Sequence, residues 1–574
     1  MRQFYLGSAN RKNVQMKIDP EAFCMKKWAF CFVSLLLMFS VMLSGCNFTG
    51  ETPQGAESPS GQTASKDGEQ LSSGKAITLS VETEITDLNQ FSASDNVAFA
   101  ILNNVNEGLY RLDQKNVPQP AMAKEVDISR DGLTYTFTLR DGVKWSNGSP
   151  VTAADFKFAW LGSMKPETSL SGYAFILTDY IEGGAEYAEG KVADVSGIVV
   201  KDDKTLAVKL KNPTPFFLRL VSFIPYYPLN EKFVKEKGKD FALKPENMLY
   251  NGPFVLTQFD PAGDAVLEKN PNYWDNGSVK PDKVNIKVVK EMNTALNLYK
   301  VGELDRVNLS SADVSANKTN PEFGSDIEFA TTYLQFNLKA GDVSNPNIRK
   351  ALQLAYDSKV LEQLLNNGSK GAEGLTPDLM NGAGGKSFRD MQGKVVAPDA
   401  DKAKELWAQG AKELGHAPKI KLLVLDDTVN KDVGTFLQSE FKKNLGAEIE
   451  IESMPKKARN KLMDDSSYQM AVTAWGADYD DAMTYLDLWI NHTPYRGNYN
   501  NPKYDRLIAE AKKEADEAKR AEMLLQAEKI LVGEDAVVAP LFYKGHAFLQ
   551  KKNIEGLVYH PYGASWDFKY AAKK

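Results

Sequence analysis

The chain of 574 residues has three cysteines, Cys24, Cys31 and Cys46, and none beyond position 46. The rest of the protein therefore has no thiol for a disulfide, a metal–thiolate cluster or a cysteine nucleophile. Histidine is nearly as scarce. His416, His492, His546 and His560 show no His-x-x-x-His or His-Glu-x-x-His spacing, so a zinc site has no support. A Gly-x-Ser-x-Gly elbow is missing, which removes the usual serine hydrolase signature. The segment "NGAGGKS" (381–387) has Met380 where a phosphate loop needs its first glycine, and it reads as a flexible loop. Positive charge is also in deficit. The formal net charge is −6, and it becomes −10 once the six basic and two acidic residues of 1–46 are set aside. Such a surface is repelled by nucleic acid and by anionic lipid. No cofactor is called for.

Long hydrophobic runs are absent except for one, "WAFCFVSLLLMFSVML", Trp28 to Leu43. It falls short of the roughly 20 residues of a bilayer span. Lys26 and Lys27 before it and the small residues of "LSGC" (43–46) after it make a secretory signal, with an uncleaved anchor as the alternative. Residues 1–45 are therefore taken as the signal, with Met25 as its natural start. The ending resembles a bacterial lipobox, which implies cleavage before Cys46 and a diacylglycerol on that residue. Residues 46–75, rich in Gly, Ser, Thr, Pro and Gln, cannot bury enough apolar surface to fold and read as a tether.

What remains is some 500 residues, too many for one core. "DGLTYTFTLRDGVKWSNG" (131–148) alternates Tyr135, Phe137 and Leu139 on one strand face between turn signals. Thr152 and Asp155 form a capping box that opens a helix. "GIVVKDDKTLAVKL" (197–210) reads as a hairpin, 284–289 as a strand and 292–302 as a helix. Residues 419–425, 431–446 and 448–453 read as strand, amphipathic helix and strand, a βαβ unit. Two amphipathic helices follow over 503–532, then a buried strand at 537–543. The fold class is thus α/β with closely packed lobes, and ligands of such folds sit in clefts between lobes.

The chemistry concentrates in "AVTAWGADYDDAMTYLDLW" (471–489), where Asp478, Asp480, Asp481 and Asp487 stand among Trp475, Tyr479, Tyr485 and Trp489. Asp478 with Asp480 or Asp481 could be proposed as a glycosidase pair, but carboxylates adjacent on one loop seldom face each other across a substrate. Asp480 and Asp481 read as a solvated turn or helix start.

Four blocks occur in order: "DGLTYTFTLRDGVKWSNGSPVTAADFKFAW" (131–160), "YNGPFVLTQF" (250–259) with "LEKNPNYWD" (267–275), "TALNLYKVGELD" (294–305), and "YLQFNLKAGDVSNPNIRKALQLAYD" (333–357). Together they closely resemble the oligopeptide- and dipeptide-binding proteins that feed ABC importers, over nearly all of 77–562. The resemblance implies a two-lobed periplasmic-binding-protein-like fold hinged around a ligand cleft. Lobe I would comprise 76–108, 235–331 and 545–574, with an extra domain inserted at 109–234. Lobe II would comprise 332–544, and the hinge would lie near 332–337 and 540–545. It also implies that Asp478 pairs with a peptide's α-ammonium, with Trp475 and Tyr173 in the pocket. Physical reasoning points the same way. A receptor for many peptides must read the shared ammonium and backbone, so Asp478 supplies a charge-assisted hydrogen bond. Backbone near Ala477 and Tyr479 would add the ligand as a strand. Trp475 and Tyr173 offer broad apolar faces. The expected partners are an oligopeptide, the permease of an ABC importer and, through the lipid on Cys46, the outer face of the cell membrane. A monomer without catalytic activity is expected. The runners-up are a same-fold receptor for another ligand (dipeptide, pheromone, oligosaccharide or metal chelate) and, remotely, a hydrolase. Two departures from the family pattern leave ligand length open. Val472 and Thr473 stand where some members carry a basic residue for the ligand's C-terminus, and Pro455 replaces a pocket Trp.

Overall fold

A computed structural model describes residues 76–574 except 86, 170–172 and 262. The signal, Cys46 and the tether at 46–75 lie outside the described residues. The strands that position the cleft are, in chain order, β1 (Ala76–Val81), β2 (Ala123–Ile128), β3 (Thr134–Leu139), β4 (Ile198–Asp202) and β5 (Thr205–Lys209). They continue with β6 (Phe254–Phe259), β7 (Ala265–Lys269), β8 (Lys283–Val288), β9 (Arg306–Asn308) and β10 (Phe323–Phe336). The last are β11 (Ile420–Leu425), β12 (Ile449–Met454), β13 (Met470–Gly476) and β14 (Val538–Gln550). Four helices matter here: α1 (Asn96–Val105), α2 (Ala153–Met164), α3 (Thr428–Leu445) and α4 (Lys456–Asp464).

Local patterns set these elements. In β3, Tyr135, Phe137 and Leu139 are buried and the threonines between them are half-buried, as period-two alternation requires. The backbone N–H of Thr152 donates to Asp155 at 2.8 Å, closing the capping box that starts α2. Hairpin β4–β5 joins β2 and β3 in a four-stranded antiparallel sheet of order β2-β3-β5-β4. β11, α3 and β12 form the anticipated parallel unit, with Val433, Leu437 and Phe441 of the helix packed against Leu422, Val424 and Ile449. Gly446 ends α3 at φ 66°, a left-handed cap that glycine adopts without strain. The 381–387 segment differs from its sequence reading. It is a closed turn in which Asn381 bridges Ser387 and the Asn381 N–H donates to Asp480 at 2.7 Å.

One sheet runs through both lobes in the order β12-β11-β13-β10-β14-β9-β1-β8-β7-β6. β10 and β14 are its two long central strands, and both cross from lobe to lobe. At one end Arg306–Asn308 of β9 pairs with Phe548–Gln550 of β14, which pairs with the start of β10. At the other end Ala330–Phe336 of β10 pairs with β13. The β10–β14 register slips between Ile327 and Thr331 and again between Thr332 and Tyr333. No helix among the described residues is long and apolar enough to cross a membrane.

Candidate ligand-binding site

β13 is the structural key to the cleft. Its Trp475, Thr473 and Ala471 pair with Thr331, Tyr333 and Gln335 of β10. On its other side β11 reaches only Met470 and Ala471, so among the described residues no strand covers that edge from Val472 onward. In an antiparallel ladder alternate residues turn their N–H and C=O groups to opposite sides. The Ala477 N–H donates to the Phe329 carbonyl at 2.6 Å, which places the odd-numbered residues toward β10. The Val472 carbonyl instead accepts from Arg459 on the outer side. Ala474 and Gly476 share the Val472 parity, so their backbone groups face the uncovered edge.

Against this edge lies a cavity of about 250 Å³, lined on one side by Ala474–Asp478 and on the other by Asn96, Phe99, Tyr173, Phe223 and residues 559–565. It shares Ala474 with a cavity of about 540 Å³ and Glu328 with one of about 200 Å³, so the three cavities adjoin.

Tyr173, some 300 positions away in sequence, meets Trp475, Ala477 and Asp478 at the cavity of about 250 Å³. Tyr173 stands edge-on to Phe99 and Phe223, with ring centroids 5.4 and 5.6 Å away. Trp475 is half-buried, its ring faced by the Arg496 guanidinium at 5.1 Å, and its indole N–H finds no acceptor among the described residues. Asp478 is half-buried and has no cation within ion-pairing distance among the described residues. Its carboxylate accepts one long hydrogen bond, from the Thr484 hydroxyl at 3.5 Å. Burial, reinforced by the negative charge of Asp487, pushes this carboxyl up to about 7. Burial and then the charge of Asp478 raise the Tyr173 phenol. The site thus offers a carboxylate lacking a positive partner, a wall of rings and an open strand edge.

Three sequence readings need correction. Tyr479 is not at the cavity. Its ring stacks on Phe216 at 4.5 Å and 4°, and its hydroxyl meets that of Tyr180 at 2.9 Å, because the chain turns inward after Asp478. Ala477 lines the cavity, but its N–H is committed to Phe329, so strand parity gives the open edge to Ala474 and Gly476. Asp480 and Asp481 do precede a helix start, where the Met483 N–H donates to Asp481 at 2.9 Å, but they are not solvated. Asp480 lies 3.6 Å from Arg219 and accepts from Asn381, while Asp481 accepts two bonds from Arg520 at 2.7 and 2.8 Å. Burial still pushes Asp480 up to about 6.

The 559–565 wall escaped the sequence reading, and so did Glu328. Burial would raise the Glu328 carboxyl, but the His546 imidazole and the Lys544 ammonium, 3.0 Å away, outweigh it and hold the group at about 2. Tyr559 donates to the same carboxylate at 2.9 Å. The aromatic run "YHPYG" was the one signal in the sequence, and nothing local ties it to the cleft.

Two lobes joined by a pair of shared strands around an elongated cleft define a solute-binding receptor. Residues 117–497 match the family described as "Bacterial extracellular solute-binding proteins, family 5 Middle", and the chain belongs to that family. The dipeptide-binding protein DppE of Bacillus subtilis is 34% identical over 551 residues, covering 94% of this chain and 98% of the relative. The oligopeptide-binding protein OppA of the same organism is 32% identical, covering 93% and 97%. The solved structure of Listeria monocytogenes OppA bound to peptide superposes with a TM-score of 0.74 at 34% identity, covering 88% of this chain and all of that one.

Proposed function

We propose that this protein captures oligopeptides outside the cytoplasm and delivers them to the permease of an ABC importer, without chemistry of its own. The observation that carries this reading is Asp478, a carboxylate on the cavity wall with no cationic partner among the described residues, beside an uncovered strand edge. A peptide's α-ammonium supplies the missing charge through a charge-assisted hydrogen bond. Its backbone extends the sheet on the Ala474 and Gly476 groups, as in strand addition generally. Trp475, Tyr173 and Phe223 take the side chains without demanding one shape. The relatives named as dipeptide- and oligopeptide-binding proteins support this ligand class.

In this reading lobe I is 76–108, 235–331 and 545–574, the inserted domain is 109–234, and lobe II is 332–544. The hinge is near 332–337 and 540–545, next to the register slips of β10 and β14 between Ile327 and Tyr333. Diacylglycerol on Cys46 and the 46–75 tether hold the receptor at the membrane, since two acyl chains suffice for stable anchoring. The test is calorimetric titration of short peptides with free and acetylated N-termini into wild type and Asp478→Ala. Losing the charge partner costs about 2–5 kcal/mol. Acetylation should weaken wild type comparably and leave the variant little changed. Wild-type affinity in Asp478→Ala would refute the assignment.

A further inference from the structure

We propose that Thr484 is a positioning residue for Asp478: its hydroxyl fixes the carboxylate in one orientation, ionised, with one oxygen left open for the guest's ammonium. This rests on the peptide reading and deepens the same site, although Thr484 itself does not line the cavity.

The surroundings of the hydroxyl decide what it does. Thr484 stands on the short helix Met483–Leu486 and is only 2% exposed. The Asp478 backbone N–H donates to Thr484 Oγ1 at 3.2 Å. A hydroxyl has a single proton, so with its oxygen accepting there the proton remains to be donated. Its one acceptor among the described residues is Asp478 Oδ2, at 3.5 Å. Backbone and side chain of the same residue are thus gripped by one oxygen atom. Asp478 Oδ1 accepts no hydrogen bond among the described residues. Threonine suits the task because its branched Cβ restricts χ1 and so holds the hydroxyl still.

The electrostatics give the hydroxyl a second role. Burial and then the charge of Asp487, at the end of the same short helix, favour the protonated carboxyl. Asp487 has its own partner in Lys512 at 3.7 Å. The Thr484 hydroxyl is the one group among the described residues that favours the ionised form. Tyr173 and Tyr485 also face the carboxylate, and burial raises both phenols, which stay neutral. Across the cavity the Glu328 charge is met by Lys544 and His546, and the Tyr559 and Tyr562 phenols are raised and neutral. Arg496 faces the Trp475 ring and donates to the Tyr333 hydroxyl at 3.1 Å. A carboxylate held in one rotamer beforehand loses less freedom when the ammonium arrives.

The experiment titrates the whole protein with a short peptide, free or acetylated at its N-terminus, from about pH 5.5 to about pH 8.5. Thr484→Val keeps the branched Cβ and removes the hydroxyl. At pH near 7 it should bind the free-amine peptide about three- to tenfold more weakly than wild type. The rise of affinity with pH should move upward by at least about half a unit, because the ionised form has lost its hydrogen bond. The acetylated peptide should bind Thr484→Val and wild type alike. Thr484→Ser should restore both the affinity and the pH profile. In an Asp478→Asn background, Thr484→Val should leave the remaining binding unchanged, since the two residues act as a pair. Should Thr484→Val fail to fold, Thr484→Ala takes its place with the same expectations. Wild-type binding by the variant, an equal loss for both peptides, an unmoved pH profile, or a loss that serine does not restore would overturn this inference. Each leaves the Asp478 site standing as long as Asp478→Ala loses the free-amine peptide. Wild-type affinity in Asp478→Ala would overturn both.

Discussion

Two halves of one loop use the same residue types for opposite ends. Before position 479, Asp478 keeps a charge with no cationic partner among the described residues, at a cavity. After it, every carboxylate has found a cation: Asp480 has Arg219, Asp481 has Arg520, and Asp487 has Lys512 at 3.7 Å. Tyr479 is likewise absorbed, stacked on Phe216 from the 109–234 segment. The second half is a joint between parts of the molecule, and the first half is where the molecule is left incomplete. An unsatisfied group beside space is the mark of a place for a guest, while satisfied groups of identical chemistry hold structure.

The sharpest way to break this contrast is Asp481→Ala. It strands the nearly buried Arg520 guanidinium, and losing one partner of a buried pair costs about 3–5 kcal/mol. Denaturant unfolding should show that loss, with peptide affinity per folded molecule unchanged. A large fall in affinity would mean that the joint also belongs to the site.

A second expectation concerns pH. Burial places Asp478 at about 7 and Asp480 and Asp487 at about 6, against 3.8 for the free carboxyl. The folded chain thus keeps protons that the unfolded chain releases near 3.8. Ligand-free stability from these groups is fully present below that pH and is lost as pH rises through about 6 to 7. Peptide capture has the opposite sign, because the ammonium needs an ionised Asp478. Affinity at pH 5.5 should be at least about tenfold weaker than at pH 7.5, and Asp478→Asn should remove most of that difference. A pH-independent affinity would detach Asp478 from the ligand. The smallest effect is Tyr180→Phe, which deletes the 2.9 Å bond to Tyr479. It should cost about 0.5–1.5 kcal/mol of stability and leave affinity alone.

Much of the scaffold was legible before any coordinates, because its signals are local. Alternation at Tyr135, Phe137 and Leu139, the Thr152–Asp155 box and the β11–α3–β12 pattern each act within a few residues. Asp478 and Trp475 drew notice because acids beside rings are unusual, and Tyr173 through resemblance alone. The rest was illegible for a common reason. Whether Asp481 is solvated depends on Arg520, whether Tyr479 faces a guest depends on Phe216, and whether Ala477 has a free N–H depends on Phe329. No pattern within the loop itself announces these partners.

The sequence by itself determined the alternation of strands and helices, the acidic balance and the stretch where recognition resides, because periodicity, charge and turn chemistry are carried by neighbours along the chain. Only the tertiary structure decided which of four carboxylates stays without a cation among the described residues and which backbone groups of β13 face open space. Burial and pairing depend on residues hundreds of positions apart meeting across a sheet.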